Sequence, residues 1–177
     1  IDTLAPFNDE ALEAAVFKIG SLKTARYTIE GPLRLGMMLA GADRERVESI
    51  KAFAYTIGVA FQIIDDILGM FGTEKEIGKP VTSDLEEGKK TLLTTFVETY
   101  GVEAYGEGVW ERLSSLLGKK GLTQEELEEA RAIIKGSGAL EYAKWVAGTL
   151  SADGKRALEE LDFPPESKAL LRGLVDY

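Results

Sequence analysis

From Ala52 to Ile64 the chain runs thirteen residues without a charge, and then places two adjacent carboxylates, Asp65 and Asp66. The run lacks the strict apolar/polar alternation of a half-buried strand and is flanked by helix-forming sequence, so it is expected as the centre of a helix from about Arg44 to Phe71. A bilayer-spanning helix needs roughly 20 predominantly apolar residues. This run is shorter and is expected as a core helix, not a membrane span. A chain built on such a helix must supply other apolar helix faces to bury it.

Those faces are present. Apolar residues at Leu12, Ala15, Val16 and Ile19 follow the Asn8-Asp9-Glu10 start signal, and the pattern runs to about Leu39 with Gly31-Pro32 inside it. Proline removes a backbone donor and crowds the preceding turn, so a kink or break belongs there. Gly41-Ala42-Asp43 ends this helix and caps the next. Ser83 and Glu86 have capping-box spacing and predict a helix to about Thr99, with Gly101 as its stop and another helix over 102–118. Thr123 and Glu126 form a second box, opening a helix to Lys135. Gly136-Ser137-Gly138 predicts an interruption, followed by helices over 139–150 and 153–161, and Pro164-Pro165 opens the last one. Hairpin-turn signals are absent. The expectation is one all-α domain over residues 1–177.

Composition narrows the chemistry. The chain has no Cys and no His, so thiol nucleophiles, disulfides and histidine general bases are excluded. Acid–base or metal chemistry must use Asp, Glu, Lys, Tyr or water. With 21 basic and 30 acidic residues the net charge is −9, which disfavours nucleic acid and anionic membrane surfaces as partners. The start at Ile1 has no signal-peptide pattern and reads as internal, from processing or cleavage. Together these point to a cytoplasmic protein.

Three groups of residues could carry function. Asp65 and Asp66 interrupt an otherwise apolar helix, where an ionised carboxylate is costly to bury unless something positive meets it. Gln62 lies three and four residues before them and shares their helix face. Carboxylates with an amide oxygen suit Mg2+, which keeps several waters and bridges to phosphate. Read locally, the pair equally fits the solvent-facing end of a core helix that binds nothing. The second group is Lys79 in Gly78-Lys79-Pro80, then Asp84 and Lys89-Lys90. Flexible ammonium groups contact phosphates well, although Glu86 and Glu87 would also neutralise them as an ordinary charged surface. The third is Lys23-Thr24, with Arg26 nearby. The aromatic residues Tyr27, Tyr55, Tyr100, Phe53, Phe61, Phe71 and Trp110 are expected in the core.

Taken together, these blocks resemble the C-terminal part of the trans-isoprenyl diphosphate synthases, the polyprenyl synthetase family. Lys23-Thr24 is similar to the family's Lys-Thr pair. Phe61-Gln62-Ile63-Ile64-Asp65-Asp66-Ile67-Leu68-Gly69 is similar to its second Asp-rich region, and the segment from Gly78 to Thr91 to the one that follows. The wording is closest to short-chain geranylgeranyl- or farnesyl-type members, archaeal ones included. The resemblance implies an all-α bundle around a deep cavity and a prenyltransferase that joins isopentenyl diphosphate to an allylic diphosphate. It implies three Mg2+ ions per complete site, held between two Asp-rich motifs on facing helices. Carried over, Asp65 is the main metal ligand, with Asp66 and Gln62 in support. Lys23, Lys79 and Lys89 contact the allylic diphosphate, Asp84 serves a metal water or orients a lysine, and Thr24 stands behind them.

The sequence also departs from the family pattern. Gly69 stands where the fuller motif has a third Asp, and the first Asp-rich motif, D-D-x-x-D, occurs nowhere in the 177 residues. The expectation is therefore a C-terminal half, inactive alone, whose partners are the missing N-terminal half and a second copy in a homodimer. Two other readings stand beside it: a half-length regulatory subunit completing another chain's site, and a relative of the class I terpene cyclases.

Overall fold

A computed structural model of the chain describes residues 14, 17, 18, 20–78 and 80–176. The helix start expected at Asn8 and the lysine at position 79 lie outside them. Among the described residues every regular element is helical, as expected. In order these are α1 (Ser21–Glu30), α2 (Gly31–Leu39), α3 (Arg44–Ser49), α4 (Lys51–Phe71), α5 (Glu74–Ile77), α6 (Ser83–Glu86), α7 (Leu92–Tyr105), α8 (Val109–Leu116), α9 (Gln124–Gly136), α10 (Ala139–Glu160) and α11 (Pro165–Asp176).

Pro32 does not end the first helix; it changes how the helix is wound. Proline has no N–H to offer the carbonyl four residues back. The chain ahead of it is π-wound: α1 is a π-helix throughout, and the Gly31 N–H reaches back five residues to the Arg26 carbonyl. The α-helix then restarts with Pro32 in its first turn, where the missing donor costs least. Asp43 caps α3 through its side chain, which accepts from the Arg46 N–H. The expected helix over 44–71 is divided by a turn at Ile50 into α3 and α4.

Internal contacts divide the chain into two compact units, and the divisions fall inside two helices: between Asp65 and Asp66 in α4, and between Glu141 and Tyr142 in α10. In the unit holding Gly20–Asp65 and Tyr142–Tyr177, the core is Ile50, Phe53 and Ile57 against Leu158 and Leu161. Two glycines let its helices approach closely. A Cβ at Gly58 would overlap Ala25 of α1, and one at Gly154 would overlap Ile57 of α4. Gly154 thus belongs inside α10, and the break expected between 150 and 153 is absent.

In the unit holding Asp66–Glu141, α7, α8 and α9 pack together around Val97, Leu113, Leu127 and Ile134. The helix expected over 83–99 does not form as one piece. Gly88 takes φ +64°, α6 stops at Glu86, and the capping box is Thr91 with Thr94 instead of Ser83 with Glu86. Gly101 sits inside α7, where a side chain would crowd Val97 and Val109. The box at Thr123 and Glu126 forms as expected.

By length and hydropathy, 44–71 is a stretch apolar enough to cross a membrane. Half of its apolar window is buried within the protein.

Candidate functional site

Lys79 aside, the residues singled out from the sequence fall into two groups, Lys23, Thr24, Gln62 and Asp65 in one unit and Asp66, Asp84 and Lys89 in the other. In the first, α1 and α4 meet at Thr24 and Gln62. Thr24 is buried, 6% exposed, because Ala25 beside it packs against Gly58. Its hydroxyl donates to Gln62 Oε1 at 2.6 Å. Gln62 is half-buried, while Lys23 is exposed. The hydrogen bond bears on the part Gln62 can play. Its amide oxygen accepts the hydrogen bond from Thr24, which orients the group.

Asp65 follows on α4 and is exposed; Asp66 is half-buried. The same helix carries Phe61, Ile64 and Leu68 as exposed large apolar side chains at three- and four-residue spacing, a stripe along one face. Tyr27 and Tyr55 are exposed as well, so these aromatics and Phe61 are not in the core as expected, whereas Phe53 is.

The second group is built on α6 and the turn after it. Asp84 is 5% exposed, and its Oδ1 accepts from Lys89 Nζ at 2.6 Å. Gly88, with its positive φ, folds the chain back so that the two can meet; the Lys89 N–H also reaches the Asp84 carbonyl at 3.3 Å. The turn is fastened from outside by the Gly118 N–H on the Leu85 carbonyl and by Lys120 Nζ on the Glu86 carbonyl, each at 2.8 Å. Lys89 Nζ also lies 3.2 Å from Glu87. Burial, the largest single influence, pulls the Lys89 pKa down. The hydrogen bonds from its ammonium to Asp84 and then Glu87 together reverse this and hold it well above the ordinary lysine value. Lys89 is therefore a permanent cation at neutral pH.

Gly69 belongs to this group too. A Cβ there would overlap Asp84 Oδ2, so Asp84 lies against the bare backbone of α4 one turn past Asp66. The sequence flags Gly69 only as a departure from a motif; what it makes room for is visible only in three dimensions.

Among the described residues, no three carboxylates gather into a metal cage. Mg2+ asks for less, taking one or two carboxylates and completing its shell with water and substrate phosphate. An exposed Asp65 beside a half-buried Asp66 fits that as one side of a clamp.

Comparison with known proteins places the chain in a family. Residues 2–134 match the family model for Polyprenyl synthetase. A short chain isoprenyl diphosphate synthase of Methanocaldococcus jannaschii is 37% identical over 139 residues, 78% of this chain and 39% of that protein. A (2E,6E)-farnesyl diphosphate synthase of Mycobacterium bovis is 32% identical over 96% of this chain and 45% of its own length. Among solved structures, the geranylgeranyl pyrophosphate synthase of Corynebacterium glutamicum, complexed with isoprenyl diphosphate and magnesium, superimposes with a TM-score of 0.86 at 31% identity. It covers 94% of this chain and 46% of its own. The chain thus spans less than half the length of these relatives, and on the extent of the match it belongs to the polyprenyl synthetase family.

Proposed function

We propose that this chain supplies the second Asp-rich half of a trans-prenyltransferase site, which joins isopentenyl diphosphate to an allylic diphosphate in a short-chain, geranylgeranyl-type synthase. The observation that carries the reading is the Asp84–Lys89 pair lodged against Gly69 on the helix of Asp66. It is a fixed, buried-edge cation beside a carboxylate-bearing helix, and a diphosphate leaving group calls for such a cation.

Asp65 and Asp66 would hold Mg2+, three ions serving the complete site, with further ligands from sequence outside this chain. When bound, Mg2+ neutralises the charge that the diphosphate gathers as it leaves. Lys89, steadied by Asp84, donates to diphosphate oxygens, and Lys23 and Lys79 add charge-assisted donors. Thr24 sets the orientation of the Gln62 amide, which supports Asp65. Phe61, Ile64 and Leu68 give the prenyl chain an apolar surface that keeps water from the allylic cation. No residue here needs to act as a histidine-like base, in keeping with a composition that has none. The complete protein is proposed as a cytoplasmic homodimer.

The test is a product assay on the full-length protein with labelled isopentenyl diphosphate, geranyl or farnesyl diphosphate and Mg2+. Elongated prenyl diphosphates support the reading. A cyclised hydrocarbon, or no product with any allylic partner, overturns it.

A further inference from the structure

Helix α4 ends at Phe71, and the carbonyls of its last turn have no partner within the helix. Arg131, on α9 of the same compact unit, meets them. Its Nε donates to the Met70 carbonyl at 2.7 Å and its Nη2 reaches the Gly72 carbonyl at 3.5 Å. The third nitrogen, Nη1, is held by Glu128 at 2.7 Å. The side chain is only 16% exposed. One turn along α9, Lys135 Nζ stands 5.1 Å from the centre of the Phe71 ring. Two cations of one helix face thus converge on the last residues of another helix.

The convergence answers an electrostatic problem. The C-terminal end of a helix carries a partial negative charge, and Asp66 adds a full one about one and a half turns from that end. Positive groups at the helix end offset both. An arginine does so with a rigid planar fork that fixes direction, which the single ammonium of a lysine cannot do. Gly72 is also where the chain leaves α4 towards the Gly78-Lys79-Pro80 segment. The same fork therefore fixes the end of the Asp66 helix and the departure point of the segment carrying Lys79.

We propose that Arg131 is a positioning residue for the diphosphate site: it acts through the Met70 and Gly72 carbonyls and does not touch substrate. The proposal rests on the prenyltransferase reading for its catalytic consequence, but the clamp itself can be tested without it. The test compares Arg131→Lys, Arg131→Met and a control, Arg112→Met, in the full-length protein. Arg112 pairs with Glu129 of α9 through Nε and Nη2, so its loss is a fair measure of ordinary surface destabilisation.

Three measurements are made: thermal midpoint, hydrogen exchange of amides 72–78 with and without Mg2+ and inorganic pyrophosphate, and steady-state kinetics. Both Arg131 variants are expected to exchange faster at 72–78 even without ligand. They should also lose about 10- to 100-fold in kcat, the scale of a misplaced but intact site, with a raised KM for the allylic diphosphate. Arg131→Lys, which keeps the charge and folds most readily, should not rescue. The control should leave exchange and kinetics unchanged. A lowered thermal midpoint with unaltered exchange and kinetics in Arg131→Lys and Arg131→Met would overturn the proposal, because a merely structural contact would give that result. If the unmodified protein elongates nothing, the prenyltransferase reading fails; unaltered ligand-free exchange in Arg131→Lys would then overturn the clamp, and faster exchange would uphold it.

Discussion

Gly69 and Asp84 compete for the same space: a side chain at residue 69 would overlap the Asp84 carboxylate. Gly69 thus leaves the Asp84 carboxylate room against the backbone of α4. Gly69→Ala should therefore force Asp84 outward and cost about 1–3 kcal/mol, the usual penalty of overpacking. Gly69→Asp should cost more, and Gly69→Asp combined with Asp84→Gly should recover part of the loss. Denaturant melts of the wild type, Gly69→Asp, Asp84→Gly and the double variant would check this; strictly additive penalties would show that the two positions do not share space.

The Asp84–Lys89 pair should make itself felt at high pH. The folded state raises the Lys89 pKa, so the pair's stabilisation is fully present below the ordinary lysine value of 10.5 and fades as pH climbs through the higher folded value. Wild-type stability should then contain a component that is flat near neutrality and declines only above pH about 10.5, and Lys89→Met should lack that component. Asp84→Ala should cost about 1.5–3 kcal/mol near neutrality, as for a hydrogen bond to a charged group. Chemical denaturation between pH 7 and 11 is the measurement.

Thr24 tests the amide. Thr24→Val keeps the shape but removes the hydroxyl that Gln62 Oε1 accepts from, and should cost about 1–2 kcal/mol. Thr24→Ser should restore most of it. In the full-length protein, KM for the allylic diphosphate should rise in Thr24→Val and return in Thr24→Ser. Equal kinetics for the two variants would show that the hydroxyl has no part in orienting Gln62.

Asp65 separates function from folding. It is exposed, so Asp65→Ala should barely change the melting midpoint while lowering turnover by about 10²-fold or more, as expected for losing a charge that anchors a catalytic metal. Asp66→Ala, half-buried, should lower turnover less and stability more. Near-normal turnover in Asp65→Ala would remove this helix from the site.

How far the sequence leads is visible in particular residues. Helical periodicity and the Thr123–Glu126 box are local signals, and both survive in the structure. The Ser83–Glu86 spacing misleads because Gly88, with its positive φ, breaks the helix before the box could extend it. Gly101 reads as a stop, yet it is a thin point where Val97 and Val109 press on the helix, a tertiary fact that leaves no local trace. The site follows the same division. Asp65, Asp66, Thr24, Gln62, Asp84 and Lys89 stand out by type and spacing, but the Thr24–Gln62 and Asp84–Lys89 pairings do not. Arg131 gave no sequence signal at all: one arginine among the charges of an amphipathic helix, distinguished only by the carbonyls it meets.

The π-wound stretch Ser21–Glu30 has a consequence for how this chain can vary. Hydrogen bonds that reach five residues back hold one residue more per closed ring than those that reach four. Such a stretch can give up a residue by tightening and leave its two ends in place. Length differences of a single residue between Thr24 and Pro32 should thus be neutral to the flanking helices. Deleting the exposed Thr28 would be the direct trial, with retention of the Thr24–Gln62 contact as its readout. The π-wound residues after Thr24 thereby give this helix a place where a deletion need not disturb Lys23 and Thr24.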